Sequence, residues 1–232
     1  MVRSDPMPPL FITFEGLDGS GKSTHLKRAG IWLDQCRVPN RQTHEPGGTA
    51  LGDALRAIFL DARWGVVDGT VELLMIFASR RQHLLEVIEP ALAAGRHVLC
   101  DRFTDSTRAY QGDGRGVPLA LIDQIDKLAT GGRVPDLTLL FDLPAEEARS
   151  RRLARARQRG ADRLDAEELS FYERVRQGFL RQAAHEPGRF RIIDSAGDPG
   201  RTEEQVRAAL GELVTGAAGG LAGLVCLGRD RP

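Results

Sequence analysis

A glycine-rich segment near the start of the chain carries the strongest chemical signal in the sequence. Residues 16–23 fit the pattern G-x-x-x-x-G-K-[ST]. In this pattern backbone N–H groups surround phosphate oxygens, because the glycines permit a tight turn and the following helix adds its positive end. The lysine brings a compact charge to the terminal phosphates, and the next hydroxyl can hold Mg²⁺. The residues expected to bind the phosphates of a nucleotide are Gly16, Leu17, Asp18, Gly19, Ser20, Gly21, Lys22, Ser23 and Thr24.

Lysine is rare in this chain, which makes its presence in the loop informative. Only three of the 32 basic residues are lysines, and one of them is Lys22. A compact ammonium fits a tight loop as a point charge, whereas a planar guanidinium does not. Two alternatives stay open: a glycine-rich turn that fits the pattern by accident, and a dinucleotide-binding G-x-G-x-x-G motif. The second would need a third glycine where Thr24 stands.

Short apolar runs alternate with segments of helical periodicity along most of the chain. Strands are predicted at 10–15, 40–44, 97–101, 137–142 and 190–194. Helices are predicted at 22–36, 51–60, 70–94, 118–131, from 144 onward and at 170–184, with a last helix that begins at a Thr202–Gln205 capping box. Pro90 is a possible kink, and 112–118 is predicted to be a glycine-rich loop. This alternation predicts an α/β fold with a parallel sheet.

The composition bounds the class of protein. Basic and acidic residues number 32 each, and a net charge of zero argues against general nucleic-acid binding. The three cysteines stand far apart, which argues against a disulfide framework and a cysteine zinc site. The first residues lack the apolar run of a signal peptide, and no stretch approaches the roughly 20 apolar residues of a membrane span. We therefore expect a cytoplasmic protein with neither a membrane nor a nucleic-acid partner.

Missing motifs exclude two large classes of phosphate-loop protein. A GTPase reads guanine through Asn-Lys-x-Asp, but Arg41 follows Asn40, the only asparagine in the sequence. A transporter-type ATPase carries Leu-Ser-Gly-Gly-Gln, which this sequence lacks. Small-molecule kinases are the large class that remains.

The remaining motifs resemble those of thymidylate kinases, in that family's order and over about residues 10–214. Besides the phosphate loop they are Glu45-Pro46-Gly47-Gly48-Thr49, Phe77-Ala78-Ser79-Arg80, Asp101-Arg102-Phe103, the segment 106–112, and Pro135-Asp136-Leu137-Thr138. The resemblance implies the reaction ATP + dTMP → ADP + dTDP with Mg²⁺. It also implies a P-loop NTPase three-layer fold, with a five-stranded parallel sheet flanked by helices, assembled as a homodimer.

The same resemblance divides the chain into three parts. Residues 1–9 form an N-terminal extension, and 10–215 form a nucleoside monophosphate kinase domain with a lid at about 149–168. Residues 216–232 form a tail rich in glycine and alanine. His44 departs from the family, which usually has an arginine before Glu-Pro-Gly-Gly. A group mostly neutral at pH 7 replaces a permanent cation, so the role of that arginine is not transferred to this chain.

Asp101 and Arg102 end the third predicted strand, and ligands of open parallel sheets bind at that end. Arg102 has the planar donor pair that suits an acceptor phosphate, and Asp101 could hold Mg²⁺ together with Ser23. The alternative is a plain ion pair between Asp101 and Arg102. The resemblance assigns Arg102 to the phosphate of dTMP.

The resemblance also implies which residues bind the acceptor nucleoside. Phe77 and Arg80 stand three apart and share a helix face. The match puts Phe77 over thymine and Arg80 at its O4, whereas the pattern alone favours Phe77 as a core residue. The other implied substrate contacts are Thr107 at the N3 edge, Tyr110 against the sugar 2′ position, Asp18 near the sugar 3′-OH and the metal, and Ser106 and Gln111 in the same pocket.

Seven arginines crowd residues 149–163, and Arg151, Arg155 and Arg159 line one helical face. A solvated face, a nucleic-acid patch and a mobile lid each account for such a run, and zero net charge argues against the second. Because the phosphate loop holds no arginine, the resemblance implies a catalytic arginine on the lid, Arg155 or Arg159 first and Arg163 next. The expected catalytic residues are Lys22, Asp18, Arg102, Arg155 and Arg159.

Two rival functions stay open at this point. A deoxynucleoside kinase would share the phosphate loop and the lid, but it phosphorylates a hydroxyl and needs a carboxylate base. Glu45 and Asp101 are candidates for that base. A non-catalytic nucleotide-binding regulator would bind ATP without turnover.

Overall fold

A five-stranded parallel sheet forms the centre of the molecule, and its order is β2-β3-β1-β4-β5. The computed structural model describes residues 8–160 and 162–217. The strands are β1 (Phe11–Gly16), β2 (Asn40–His44), β3 (His97–Asp101), β4 (Leu137–Asp142) and β5 (Phe190–Asp194). All four pairings are parallel, which confirms the α/β prediction.

Helices connect the strands and cover both faces of the sheet. They are α1 (Lys22–Gln35), α2 (Ala50–Leu60), α3 (Gly69–His83), α4 (Glu89–Ala93), α5 (Thr104–Thr107), α6 (Leu119–Thr130), α7 (Ala145–Arg159), α8 (Leu169–His185) and α9 (Pro199–Ala217). Two π-helical segments, Leu84–Ile88 and Arg108–Gly114, continue α3 and α5 without a break. Short 3₁₀ turns occupy Ala62–Trp64 and Arg163–Ala166.

Successive side chains of β1 point to opposite faces of the sheet, and both faces are buried. Ile12 and Phe14 pack with Leu33 of α1 and Leu210 of α9. Phe11 points the other way and packs with the segment that follows α3. Because both faces of the sheet are covered by apolar side chains, the polar side chains that can bind a ligand lie at the carboxyl ends of the strands.

Pro90 lies in the first turn of α4, where proline is tolerated, and the π-helical turn Leu84–Ile88 directly precedes it. Two local predictions were wrong in detail. The predicted loop at 112–118 starts inside the π-helical segment Arg108–Gly114. The last helix begins at Pro199, three residues before Thr202.

Asp198 explains the early start of α9. Its carboxylate accepts a hydrogen bond from the N–H of Gly200 at 3.1 Å, so the Asp198 side chain caps the first turn of the helix. Thr202 instead donates its hydroxyl back to the carbonyl of Asp194 at 3.2 Å. A threonine and a glutamine at capping-box spacing therefore lie inside the helix.

The ends of the chain lie largely outside the described part. Residues 1–7 of the predicted extension and 218–232 of the predicted tail are outside it, while Gly216 and Ala217 belong to α9. Cys100 is a buried free thiol, and Cys226 is outside the described residues. Among the helices of the described ranges, none has the length and apolar content needed to cross a membrane.

Candidate active site

The phosphate loop joins β1 to α1 and requires glycine at two points of close approach. Gly16 and Gly19 have φ values of +136° and +100°. A Cβ on Gly16 would come within 2.4 Å of the Phe141 carbonyl oxygen, and one on Gly19 within 2.3 Å of the Ala148 carbonyl oxygen. Larger residues would push the loop off β4 and off the start of α7.

The first turn of α1 provides the positive end that the motif predicts. Thr24 and His25 donate their N–H groups to the Gly21 carbonyl, at 3.0 and 3.1 Å. The N–H groups of Lys22 and Ser23 come before these and have no acceptor within the helix itself. The buried Lys22 ammonium lies 3.3 Å from the Leu17 carbonyl, so charge and amides converge on one small volume.

Asp18 is the point at which three cations meet. Its Oδ1 lies 2.7 Å from Arg102 Nη2 and 3.5 Å from Lys22 Nζ, and its Oδ2 accepts from Arg152 Nη1. Burial raises the pKa of Asp18, but the charges of Arg102, Lys22 and Arg152 outweigh that effect and hold the pKa well below its usual value. Asp18 is therefore ionised throughout the physiological range.

Arg102 is held in an unusual backbone conformation by polar contacts. Its φ is +76°, a left-handed value that costs energy for a residue with a side chain. Its Nη1 donates to the Ser106 hydroxyl at 2.6 Å, and its guanidinium lies 4.8 Å from the centre of the Tyr110 ring. Arg102 pairs with Asp18, so the simple Asp101–Arg102 ion pair is not what the structure contains.

Glu15 supports this strained turn from inside the protein. It is fully buried, and its carboxyl accepts from the Phe103 N–H at 2.7 Å and from the Ser106 hydroxyl at 2.5 Å. Burial, followed by the negative charge of Asp105, raises the pKa of Glu15 to about 8. The support under Arg102 thus includes a titratable group.

A cavity beside Asp18, which we call the inner cavity, holds most of the predicted acceptor residues. Its lining includes Asp18, Glu45, Arg56, Phe59, Leu60, Ile76, Arg80, Arg102, Ser106, Thr107, Tyr110, Gln111, Arg152 and Leu164. A second space, the loop cavity, is lined by Gly19, Gly21, Lys22, Ser23, Thr24, Arg155 and three residues shared with the inner cavity. The shared residues are Asp18, Arg56 and Arg152, so the two cavities adjoin.

Arg80 is fixed in the wall of the inner cavity by four neighbours. Its guanidinium lies between the rings of Phe77 and Phe103, 4.7 and 4.9 Å from their centres. Its Nε donates to Glu45 at 2.6 Å and its Nη2 to Thr107 Oγ1 at 3.0 Å. Nη1 is buried and has no hydrogen-bond partner within the described structure, so its N–H groups are left for a ligand.

The sequence left two alternatives open for Phe77, and the structure places its side chain in the core. Phe77 packs in a core cluster with Leu73 and Ile122 and stacks on Arg80. Ile76, one turn before Arg80, faces the inner cavity with Phe59. Ile76 and Phe59 therefore form the apolar wall of the cavity near Arg80, and Phe77 packs against the Arg80 guanidinium.

The remaining predicted acceptor residues lie together. Thr107 Oγ1 accepts from Arg80, which leaves the Thr107 hydroxyl hydrogen available. The Tyr110 hydroxyl accepts from the Asp18 N–H at 3.2 Å and from Arg102 Nη2 at 3.2 Å. Burial raises the pKa of Tyr110 to about 12, so it remains a neutral phenol. Gln111 lines the cavity with its amide nitrogen 2.9 Å from Glu72.

Three residues at the site gave no clear signal in the sequence. Arg56 of α2 lines both cavities and donates to the Pro46 carbonyl at 2.9 Å. Arg152 of α7 is buried between Asp18 and Asp162, 2.5 Å from the latter. His83 is fully buried and binds Glu45 at 2.9 Å, which fixes the carboxylate that holds Arg80.

The predicted lid arginines occupy different environments in the structure. Arg155 is exposed and lines the loop cavity together with Lys22 and Ser23. Arg159 lies at the end of α7, and its side chain is outside the described part of the structure. Arg163 turns away from both cavities, with Nε 3.1 Å from the Phe59 carbonyl and Nη1 on Glu72.

Two oxygen ligands suited to Mg²⁺ lie side by side at the loop. The Ser23 hydroxyl donates to Asp101 Oδ2, and both side chains line a cleft with Lys22. A hydroxyl and one carboxylate fit a magnesium ion that keeps most of its waters and binds substrate phosphates. The donor set therefore suits the metal that the sequence predicts.

A further cleft opens on the other side of the phosphate loop. Its walls come from Gly21 and His25 on one side, and from Arg151, Ser195 and Gly197 on the other. The cleft has a mostly apolar lining and lies at the carboxyl end of β5, where ligands of open parallel sheets bind.

Comparisons with known proteins agree on one family. Residues 14–206 match the family model described as "Thymidylate kinase". The chain is 47% identical over 201 residues to the thymidylate kinase of Gloeobacter violaceus, covering 87% of this chain and 94% of that protein. It is 48% identical over 204 residues to the thymidylate kinase of Cupriavidus metallidurans, covering 88% and 96%.

A solved structure shows the same likeness in three dimensions. The crystal structure of thymidylate kinase from Ehrlichia chaffeensis superposes on this chain with a TM-score of 0.71 at 33% sequence identity. The match covers 88% of this chain and 99% of that one. The two chains therefore share one fold over most of their length.

The raised pKa of Glu15 predicts a pH dependence of folding stability. The folded protein keeps this proton to about pH 8, whereas an unfolded glutamate releases it near its ordinary value of 4.5. Between these values the folded state binds more protons, so stability falls as pH rises, by up to about 1.4 kcal/mol per pH unit from this group. The Glu15→Gln variant should lose that part of the slope.

Urea unfolding at pH 5, 6.5 and 8 measures the effect. Glu204→Gln, at an exposed glutamate of α9, is the matched control and should keep the wild-type slope. An identical pH slope in the wild type and in Glu15→Gln would show that the buried proton is not there.

Proposed function

The chain belongs to the thymidylate kinase family, and we propose that its two adjoining cavities hold ATP and dTMP for direct phosphoryl transfer between them. The enzyme phosphorylates dTMP with ATP as co-substrate. The observation that supports the placement of the substrates is the shared lining, since Asp18, Arg56 and Arg152 belong to both cavities. A γ-phosphoryl on the loop and an acceptor phosphate on Arg102 would then face each other across these charges.

The contacts of the candidate bases argue against the deoxynucleoside kinase alternative. Glu45 is buried and engaged by Arg80 and His83, and Asp101 accepts from Ser23. Both carboxylates already have partners, which disfavours either one as the base for a nucleoside 5′-hydroxyl. A monophosphate acceptor needs no such base, because its oxygens are already largely deprotonated at pH 7. Positioning and charge neutralisation then carry the catalysis.

The donors of the inner cavity suit a thymine base. The free Arg80 Nη1 would donate to O4. Because the Glu72 carboxylate accepts from Arg163 and Arg115, the Gln111 amide nitrogen faces it as a further donor. The Gln111 amide oxygen is then left for the N3–H of the base, at the edge where Thr107 also lies. Ile76 would cover the ring in place of Phe77, which we assign to holding Arg80.

The sugar and phosphate of dTMP extend from the base toward the loop. Tyr110 would lie against the 2′ position and favour deoxyribose, with Asp18 near the 3′-hydroxyl. Ser106 holds Arg102 in place for the phosphate. Ser23 and Asp101 would hold Mg²⁺, which supplies charge neutralisation at the donor phosphates when bound. The adenine would occupy the cleft between His25 and Ser195.

Two arginines of α7 would stabilise the negative charge of the phosphoryl group during its transfer. Arg155 is exposed at the loop cavity, where lid movement could bring it onto the γ-phosphoryl. Arg152 is already buried between the cavities and held by Asp162 and Asp165, at 2.5 and 2.6 Å. Arg159 remains a proposed second lid donor.

An apolar stripe supports assembly as a homodimer. Val71, Leu74, Ala78 and Leu85 recur at spacings of three, four and seven along α3 and its continuation, and all are exposed. Leu51 and Ile58 add apolar surface on α2, which packs against α3. Such a stripe on neighbouring helices buries well against a second copy of itself. We further propose a cytoplasmic enzyme, since the three cysteines stand far apart in the sequence and the buried Cys100 is a free thiol, as fits a reducing compartment.

An acceptor panel tests the proposed reaction. With MgATP the protein should form ADP when dTMP is added and not when thymidine is added, because the site binds a phosphate and offers no base. Lys22→Ala should lower turnover by about 10²-fold or more, since a buried charge on the phosphates is lost. Lys127→Ala, on exposed α6, is the control and should keep full activity.

A coupled assay of ADP formation measures turnover by the wild type, Lys22→Ala and Lys127→Ala. Turnover of thymidine in place of dTMP would favour the nucleoside kinase. ADP release independent of any acceptor would contradict both kinase assignments.

The lid assignment predicts a difference between two nearby arginines. Arg155→Gln should reduce kcat by about 10³-fold, because a guanidinium on the transferring phosphoryl is lost. Arg157→Gln removes the same charge two residues later, on a face that lines neither cavity, and should be nearly neutral. Steady-state kinetics with saturating dTMP provide the comparison, and equal losses in both variants would show a general charge effect instead.

Light scattering tests the homodimer. The wild type should have twice the 25.4 kDa mass of one chain, and Leu74→Arg should shift it to the monomer by placing charge in the apolar stripe. Ile192→Arg introduces the same charge at an exposed residue of β5 and should stay dimeric. A wild type that runs as a monomer at micromolar concentration would refute this assembly.

A further inference from the structure

Glu72 is a buried carboxylate for which the reaction has no direct use. It lies in the first turn of α3 and is wholly inaccessible to solvent. One oxygen lies 2.5 Å from Arg163 Nη1 and 3.2 Å from Arg115 Nη2. The other accepts from the Gln111 amide at 2.9 Å and lies 3.4 Å from Arg115 Nε. Four donors therefore occupy all four lone-pair directions of this carboxylate.

The partners of Glu72 come from two functional parts of the molecule. Gln111 belongs to the π-helical segment after α5 and lines the inner cavity. Arg163 belongs to the 3₁₀ turn that follows α7, within the predicted lid, and its guanidinium covers the ring of Phe59 at 5.1 Å. Arg115 extends the link, because it also pairs with Glu167 at 2.7 Å.

The charge of Glu72 decides which way the Gln111 amide points. A carboxylate between two guanidinium groups can only accept hydrogen bonds, so Gln111 must turn its NH₂ group toward Glu72. The amide oxygen is then the atom presented to the cavity. An acceptor at that position pairs with the N3–H of thymine and repels the unprotonated N3 of cytosine. A free amide could flip and serve either base.

We propose that Glu72 is a positioning residue that sets pyrimidine selectivity through Gln111 and ties that selectivity to the lid through Arg163. This inference rests on the proposed placement of dTMP in the inner cavity. It predicts that a substitution at Arg163, on the lid side of Glu72, changes the preference for the base, although Arg163 is not part of the inner-cavity lining. A purely structural ion pair would not have this effect.

The ratio of kcat/KM for dTMP to that for dCMP, with MgATP, is the quantity to measure. Because both nucleotides meet the same enzyme, partial unfolding or a slower lid cancels from this ratio. Glu72→Gln should lower the ratio by about tenfold, since a neutral amide at 72 lets Gln111 flip. Arg163→Met keeps the apolar stem over Phe59 and should lower the ratio about threefold by freeing the carboxylate.

Glu89→Gln is the matched control. It breaks the half-exposed pair between Glu89 and Arg133, 2.8 Å apart, which lies away from both cavities, and it should leave the ratio unchanged. A wild type that fails to phosphorylate dTMP would refute the proposed function and not this inference in particular.

Several results would overturn the inference while the function stands. One is an unchanged ratio in Glu72→Gln, and another is an equal fall of kcat on both nucleotides with no change of preference. A lower ratio in Glu72→Gln with an unchanged ratio in Arg163→Met would refute the link to the lid. If Glu72→Gln does not fold, the ratio in Arg163→Met alone decides the matter.

Discussion

Cations from three parts of the chain converge on the carboxylate of Asp18, and the active site depends on that convergence. Arg102 comes from the turn after β3, Arg152 from α7 and Lys22 from the start of α1. Without a shared anion, positive groups about 4 Å apart near a protein surface would repel one another by roughly 4 kcal/mol. Asp18 allows them to be assembled before substrate arrives, and incoming phosphates then meet charges that need no rearrangement.

Behind these cations the protein uses buried glutamates to fix the groups that face the ligand. Glu15 reaches Arg102 through Ser106, and Glu45 holds Arg80 directly. Glu72 does the same for the amide of the neighbouring glutamine. Burying a carboxylate costs free energy unless charges and hydrogen bonds compensate. The donors around each of these glutamates are therefore held in one geometry. The inner cavity is shaped as much by these acids as by the residues that line it.

The sequence predicted the order of strands and helices well, because apolar runs and glycine or proline breaks mark buried elements directly. It did not predict which side of a helix meets a cavity. Phe77 and Ile76 both lie within one turn of Arg80, and only packing shows that Ile76 faces the cavity. Arg152 and Arg155 are equally typical of a lid helix, and only the position of Asp18 shows that Arg152 is buried between the cavities.

A crystal structure of the protein with dTMP, ADP and Mg²⁺ tests the central claim most directly. The account predicts the acceptor phosphate on the Arg102 guanidinium, beside Asp18, with the thymine O4 on the free Nη1 of Arg80. A nucleotide bound outside the inner cavity, or one with its base toward Asp18 and its phosphate toward Arg80, would contradict it.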